Sequence, residues 1–272
     1  MPTATDVDLL VAADSDLAAA LCHFARYSPG SVHHALDGLV LVAGSHPHPG
    51  PYRNAALYLG VMDAAEAVDV ARAWFQERSR SFVFWSPQHI ASKLDSILEP
   101  IGQLLEPDGL PQLASRINPG AGACPDGVEL CVVTEPRQRE DFLAVNAAGW
   151  GFADMPRDLA AATFFHPDIL DHPNVRAILA YQHGKPVATA AAFVHDIVVG
   201  GYWGATIPEA RRQGLGELVV RRMWNAGFAM GAQIAVNQAS GSGIEIWKRL
   251  GFEEITRYRR WLVPPASALG RG

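Results

Sequence analysis

The segment Ile207-Pro-Glu-Ala-Arg211-Arg-Gln213-Gly214-Leu215-Gly216 stands between an apolar stretch and a long helix-like one, and nothing else in the chain restricts its folding so tightly. Glycines at 214 and 216 tolerate positive φ and carry no Cβ, so the backbone can curl sharply. The curl aims consecutive amide N–H groups at one point, over the positive end of the helix that follows. That point suits an anion such as a pyrophosphate, with Arg211 and Arg212 adding mobile positive charge. Two other phosphate loops are excluded. Gly214-Leu-Gly216-Glu-Leu-Val219 lacks the third glycine of a dinucleotide fingerprint, and no G-x-x-x-x-G-K-[ST] occurs. Taken alone, the segment fits a glycine-softened helix start equally well.

The chain around it divides at Asn118-Pro-Gly-Ala-Gly-Ala-Cys-Pro-Asp-Gly127, ten residues rich in Pro and Gly with little to bury. Residues 1–125 hold 7 Lys+Arg against 13 Asp+Glu, whereas residues 126–272 hold 15 of each, so the net charge of −6 belongs to the first half. Two domains are expected, 1–125 and 126–272. In the first, Asp16–Tyr27 reads as a helix, 38–43 and 54–59 as strands and Asp63 as the cap of a helix over 64–77. A strand at 81–85, a helix over 88–98 and a final strand near Leu104 follow. In the second, the spacing predicts a strand at 128–133, helices at 136–146 and 158–165, and a hairpin of 176–181 with 186–195. A strand at 197–203, a helix from about 216 to 230, a strand at 233–237, a helix at 243–250 and a last strand at 254–263 complete it. Both halves share a β-β-α-β-α order, which points to a degenerate tandem duplication.

Composition narrows the class. With 49% hydrophobic and 18% charged residues and a mean hydropathy of +0.06, the chain can build a packed core. A pI near 5.9 argues against a nucleic-acid partner. Cys22, Cys124 and Cys131 form no C-x-x-C pair, which argues against a disulfide framework. His195-Asp196 interrupts the most apolar stretch, so a membrane partner is not expected either. The start MPTATDVDLL is acidic, unlike a secretory signal, so the cytoplasm is the expected compartment. His33-His34 and His46-Pro-His48 lack the partners of a metal site, and no metal is expected. Arg257-Tyr-Arg-Arg-Trp261 is basic with interleaved aromatics, but alternation would expose its charges along one face of an edge strand.

A second segment, Asn237-Gln-Ala-Ser240-Gly-Ser-Gly243-Ile-Glu-Ile-Trp247-Lys-Arg-Leu-Gly251-Phe252, follows the first at the distance one further strand requires. Here the sequence resembles the GCN5-related N-acetyltransferase (GNAT) family. The family's acetyl-CoA loop, P-x-x-R-x-x-G-x-G, is matched by Pro208, Arg211, Gly214 and Gly216. Its later signature, A-S-x-x-G-x-x-x-Y-x-x-x-G-F, is matched by Ala239, Ser240, Gly243, Gly251 and Phe252. The resemblance covers a little over half the chain. It implies an α/β fold with a mixed, largely antiparallel sheet whose fourth and fifth strands splay apart around acetyl-CoA. The cofactor-binding residues it implies are Ala205, Thr206 and Ile207 on the strand edge, Arg211, Arg212, Gln213, Gly214, Leu215 and Gly216 in the loop, and Asn237 and Trp247 towards the thioester. Strand-edge pairing suits the unpaired N–H and C=O groups of such an edge.

The expected activity is acetyl transfer to a primary amine of a small molecule, by direct attack in a ternary complex. Trp247 stands where the family has tyrosine, and an indole N–H releases no proton near neutral pH. Water, Ser240 or Tyr258 are left as acids. Gly200–Ile207 contains no carboxylate, where many relatives carry a base, so His195 with Asp196 is the nearest alternative. Asn237, His195 and Ser240 are therefore the catalytic candidates, and Phe164-Phe165-His166 forms a candidate acceptor wall. The first half has Val61-Met-Asp-Ala-Ala-Glu in place of a glycine loop and is expected to bind no CoA. A sensor or assembly module without catalysis, an enzyme for longer acyl-CoA donors, and a homodimer stay open.

Overall fold

The computed structural model describes residues 8–48, 50, 52–90, 93–239 and 243–265. The chain forms two compact units, each made of two stretches: Met1–Leu17 with Leu113–Glu253, and Ala18–Gln112 with Glu254–Gly272. This differs from a cut at 125/126. The Pro/Gly segment marks a break in composition, whereas the units follow strand pairing between residues far apart in sequence.

Helix α1 (Leu9–Arg26) starts two turns earlier than its sequence suggests, and the unit boundary falls within it. The unit 18–112/254–272 continues with β1 (Val32–Leu36), β2 (Leu39–Ala43), β3 (Asn54–Tyr58), α2 (Ala64–Gln76), β4 (Phe82–Pro87), α3 (Leu94–Leu98) and β5 (Gln103–Leu104). Of the helix expected over 88–98, only α3 forms among the described residues. Strand β6 (Leu110–Ser115) carries the chain across the second boundary. The unit 1–17/113–253 then contains β7 (Val128–Val132), α4 (Pro136–Gly149), α5 (Arg157–Thr163), β8 (Val175–Gln182), β9 (Lys185–His195) and β10 (Val198–Thr206). It closes with α6 (Leu215–Ala229), β11 (Ile234–Gln238) and α7 (Ile244–Arg249). Strand β12 (Glu253–Val263) supplies the last strand of the other unit, where it pairs antiparallel with both β4 and β5.

The same order of elements recurs in the two units. In one, β1, β2 and β3 pair antiparallel and β3 pairs parallel with β4 across the crossover helix α2. In the other, β8, β9 and β10 pair antiparallel and β10 pairs parallel with β11 across α6. Each crossover helix buries an apolar stripe, Val68, Ala71 and Phe75 on α2, and Leu218, Val219, Met223 and Trp224 on α6. Gly227 has a structural reason of its own: a Cβ there would lie 2.6 Å from Val199 Cγ2, so glycine lets α6 approach β10.

The two crossover helices begin differently. The Asp63 carboxylate accepts hydrogen bonds from the amides of Ala65 and Glu66, at 2.9 and 3.3 Å, and so caps α2. The start of α6 has no side-chain cap. Asp63→Ala is expected to cost about 1 kcal/mol of stability, the usual worth of an N-cap carboxylate, read as a lower urea midpoint at unchanged slope.

Candidate functional site

Strand β10 holds its two neighbours unequally. Its pairing with β11 runs only from Val198↔Ile234 to Gly200↔Val236, while its pairing with β9 continues to Thr206↔Ala188. Beyond Gly200 the edge of β10 that faced β11 is released, so the two strands part. A bulge between Tyr202 and Ala205 bends the released segment, and Trp203 sits within it at φ 53°, which is costly for a large side chain. A buried chain of hydrogen bonds holds this bend: Asn146 Nδ2 donates to Thr189 Oγ1 (2.8 Å), and the Thr189 hydroxyl donates to the Trp203 carbonyl (3.1 Å). Phe165 packs at the bulge, its ring 4.5 Å from that of Trp203. Phe164 instead meets Phe152 at 6.0 Å, and His166 caps the short turn 167–171.

After Ala205, Thr206 and Ile207, a turn over Pro208–Ala210 leads into Arg211, Arg212 and Gln213, all exposed. Gly214 adopts φ 78° and forms the N-cap of α6. The earliest intrahelical donor is Leu218 N, to Gly214 O. The amides of Leu215, Gly216 and Glu217 therefore precede the helical ladder, with no side chain capping them. A Cβ on Gly216 would lie 3.1 Å from Thr206 Oγ1, so its absence lets the helix start sit against the end of β10. Gly149, at the end of α4, approaches the same place: its Cβ would be 2.8 Å from Ala205 Cβ.

Arg211 is not a mobile charge. Its guanidinium donates to the carbonyls of Thr206 (3.2 Å) and Gly149 (2.6 Å) and ties the strand end to α4. Gln213 is engaged too, accepting from Gln182 Nε2 and donating to Glu209 O. The one acidic side chain in the first turn, Glu217, is neutralised by Arg221 and Arg249, both at 3.0 Å. Burial alone would raise its pKa, but the hydrogen bonds from Arg249 and Arg221 outweigh it and hold the carboxyl below its usual range. Within its own first turn, the positive end of α6 is thus left without an unpaired anion among the described residues.

Asn237 lies on β11 one residue past the last pair with β10. Its Oδ1 sits 2.9 Å from where a Cβ of Gly201 would be, and its Nδ2 donates to the Gln238 carbonyl. Asn237 therefore stands at the Gly201 end of the released edge of β10, and the uncapped start of α6 at its Thr206 end. Trp247 is set apart from proton chemistry: on α7 its ring packs edge-on against Trp224 (5.9 Å) and Phe252 (5.5 Å). His195 is not brought in either. It sits at the turn between β9 and β10, paired with Val198, at the end of β10 remote from the loop, beside Asp196 (3.5 Å). Tyr258 is fully buried on β12, edge-on to Trp85 in the other unit's core. Ser240 lies outside the described residues.

A carboxylate does reach the point of parting, and it comes from α1. Asp16 is 1% exposed; its Oδ2 accepts a 2.7 Å hydrogen bond from the Tyr202 hydroxyl, 186 residues away in sequence, and its Oδ1 is buried with no hydrogen-bond partner. A Cβ on Gly200 would lie 2.8 Å from Asp16 Cγ and 2.6 Å from Tyr202 Cε2, so only glycine there admits the pair. Burial pushes the Asp16 carboxyl up to about 7, against a smaller opposing pull from the Tyr202 hydrogen bond. The folded state then binds the proton more tightly than the unfolded chain, where Asp titrates near 3.9. Stability is therefore greatest below about pH 4 as far as this group is concerned, and falls as pH rises to about 7. The expected loss across that window is about 3 kcal/mol, and Asp16→Asn should flatten it in urea titrations at stepped pH.

Other sequence signals resolve into structure. His48 N donates to His46 Nδ1, and Asn54 Nδ2 donates to the carbonyls of both histidines, forming a closed turn. Among the described residues no group of three or more His, Cys, Asp and Glu could hold a metal ion, and no helix is long and apolar enough to cross a membrane. The arginines of β12 do not line a free edge: Arg257 pairs with Glu254, Arg259 with Asp95 and Arg260 with Glu106, on a strand flanked on both sides.

A parted pair of parallel strands with an uncapped helix start beyond it offers an extended chain a free strand edge and an anion a set of open amides. Residues 121–237 match the family model described as "Acetyltransferase (GNAT) domain". Among solved structures, a GCN5-related N-acetyltransferase from Kribbella flavida superposes with a TM-score of 0.68 at 22% identity, covering 93% of this chain and 95% of that one. A conserved protein of unknown function from Staphylococcus epidermidis gives 0.61 at 15% identity, covering 89% and 97%. A tandem GNAT protein from the clavulanic acid biosynthesis pathway gives 0.59 at 13% identity, covering 97% and 90%. These likenesses place the whole chain in the fold of tandem GNAT proteins. No curated protein matches the sequence.

Proposed function

We propose that the protein is an acetyl-CoA-dependent N-acetyltransferase acting on a primary amine of a small molecule, with the cosubstrate held by residues 126–272. The observation that carries this reading is the uncapped start of α6 behind Gly214, opening beside the released edge of β10. The pyrophosphate of the cosubstrate would take the amides of Leu215, Gly216 and Glu217, with Arg212 beside them. Its pantetheine arm would pair with the edge from Gly201 to Thr206 and bring the thioester to the parting of the strands near Asn237. The released N–H groups of β10 would polarise the thioester carbonyl as charge develops on its oxygen. Holding both reactants there makes direct attack effectively unimolecular.

Residues 1–125 bind no cosubstrate in this reading and serve as scaffold or as part of the acceptor cleft. At the equivalent helix start in that half, the Asp63 carboxylate already occupies the amides and would repel a phosphate. Trp247 favours a second reading, a CoA-binding module without turnover, because its indole is committed to packing. Titration calorimetry with CoA and acetyl-CoA, together with thiol release from acetyl-CoA over a panel of primary amines, separates the two. The enzyme predicts amine-dependent thiol release. Tight CoA binding with no release for any amine would leave the module.

A further inference from the structure

Building on the acetyltransferase reading, we propose that Asp16 and Tyr202 form a two-step proton relay that deprotonates the acceptor ammonium at the parting of β10 and β11. Three independent features of the geometry support it. Gly200, the residue against which Asp16 packs, is the last of β10 to pair with β11, so the carboxylate sits where the cleft begins. The pair is linked by a 2.7 Å hydrogen bond in the direction the relay needs, with the phenol donating to the carboxylate. Asp16 Oδ1 has no partner although it is buried, an arrangement that costs about 1–3 kcal/mol and that a merely structural carboxylate would be expected to avoid.

The ammonium R–NH3⁺ gives a proton to Tyr202 Oη while the phenol passes its own proton to Asp16 Oδ2, leaving R–NH2, neutral tyrosine and a protonated Asp16. The nitrogen lone pair attacks the thioester carbonyl carbon, the C–S bond breaks with its electron pair on sulfur, and the proton shed by nitrogen passes to the thiolate. The products are the amide R–NH–CO–CH3 and CoA–SH, and Asp16 returns its proton to solvent. A carboxyl titrating near neutrality is suited to this duty, because it accepts a proton and releases it again at working pH. Tyr202 is the group that touches the acceptor; Asp16 acts through it.

The test compares Asp16→Asn and Tyr202→Phe with the unaltered protein, using acetyl-CoA and a primary amine that the unaltered protein acetylates. Each variant should lose roughly 100-fold or more in kcat near pH 7 while binding CoA as before. The loss should shrink as pH rises and the free amine forms in solution, and the double variant should lose no more than either single one. A structural role would lower the urea midpoint without reshaping the pH profile. Difference infrared spectra of the unaltered protein against Asp16→Asn give a readout without turnover: the carboxylic-acid carbonyl band of Asp16 should disappear as pH rises through neutrality. An Asp16 ionised throughout pH 5–8, or an unchanged pH profile in Asp16→Asn, overturns the relay alone. Absence of amine-dependent thiol release in the unaltered protein overturns the acetyltransferase reading and the relay with it.

Discussion

Gly214→Glu should lower the affinity for CoA at least about 100-fold in titration calorimetry, the equivalent of about 3 kcal/mol and the upper worth of a hydrogen bond to a charged group. The residue caps α6 at φ 78°, and a Cβ there meets nothing within 4 Å. The new side chain is therefore not excluded by bulk. It would set a carboxylate over the amides of Leu215, Gly216 and Glu217, competing with the phosphates for their hydrogen bonds and repelling them. Gly214→Ala is the control. It bears the left-handed backbone penalty of about 1–2 kcal/mol on folding but brings no charge, so affinity should stay within about tenfold. Equal CoA binding by Gly214→Glu and the unaltered protein would remove the assigned phosphate site.

Trp224→Ala should remove about 3–5 kcal/mol of stability, the range for deleting a large buried aromatic and a large part of a typical domain's total. Trp224 is fully buried on α6, 5.2 Å from Phe252 and 5.9 Å from Trp247 between ring centres, and it underlies Gly201. Its indole N–H has no hydrogen-bond partner, so the contribution is one of packing. Trp224→Phe should then cost well under half as much. A urea series on all three proteins checks this, and a larger loss for Phe than for Ala would refute the packing account.

The local chemistry of the 207–216 loop could be read along the chain, because a glycine turn and the helix after it are set by neighbouring residues. Asp63 as a cap, the β8–β9 hairpin and the order of elements from β7 to β11 were legible for the same reason. Two kinds of feature were not. Strands β1 and β6 carry His33-His34 and Pro111-Gln112, and so lack the apolar alternation by which a strand announces itself. The placement of Asp16 depends on a contact 186 residues distant, and no local pattern supplies the partner. A trace was present even so: Asp16 shares a helical face with Ala13, Leu17 and Ala20, all fully buried, and a carboxylate on a buried stripe calls for a reason. Arg211 was read as a charge for the ligand because its carbonyl partners, Thr206 and Gly149, meet only in the folded chain.

The position of β12 bears on how the protein is made. Residues 18–112 leave the ribosome early, yet the strand that covers β4 and β5 is encoded at 254–263. That unit must wait through the synthesis of roughly 140 further residues with strand edges open, exposed to wrong pairings until 254–263 emerges.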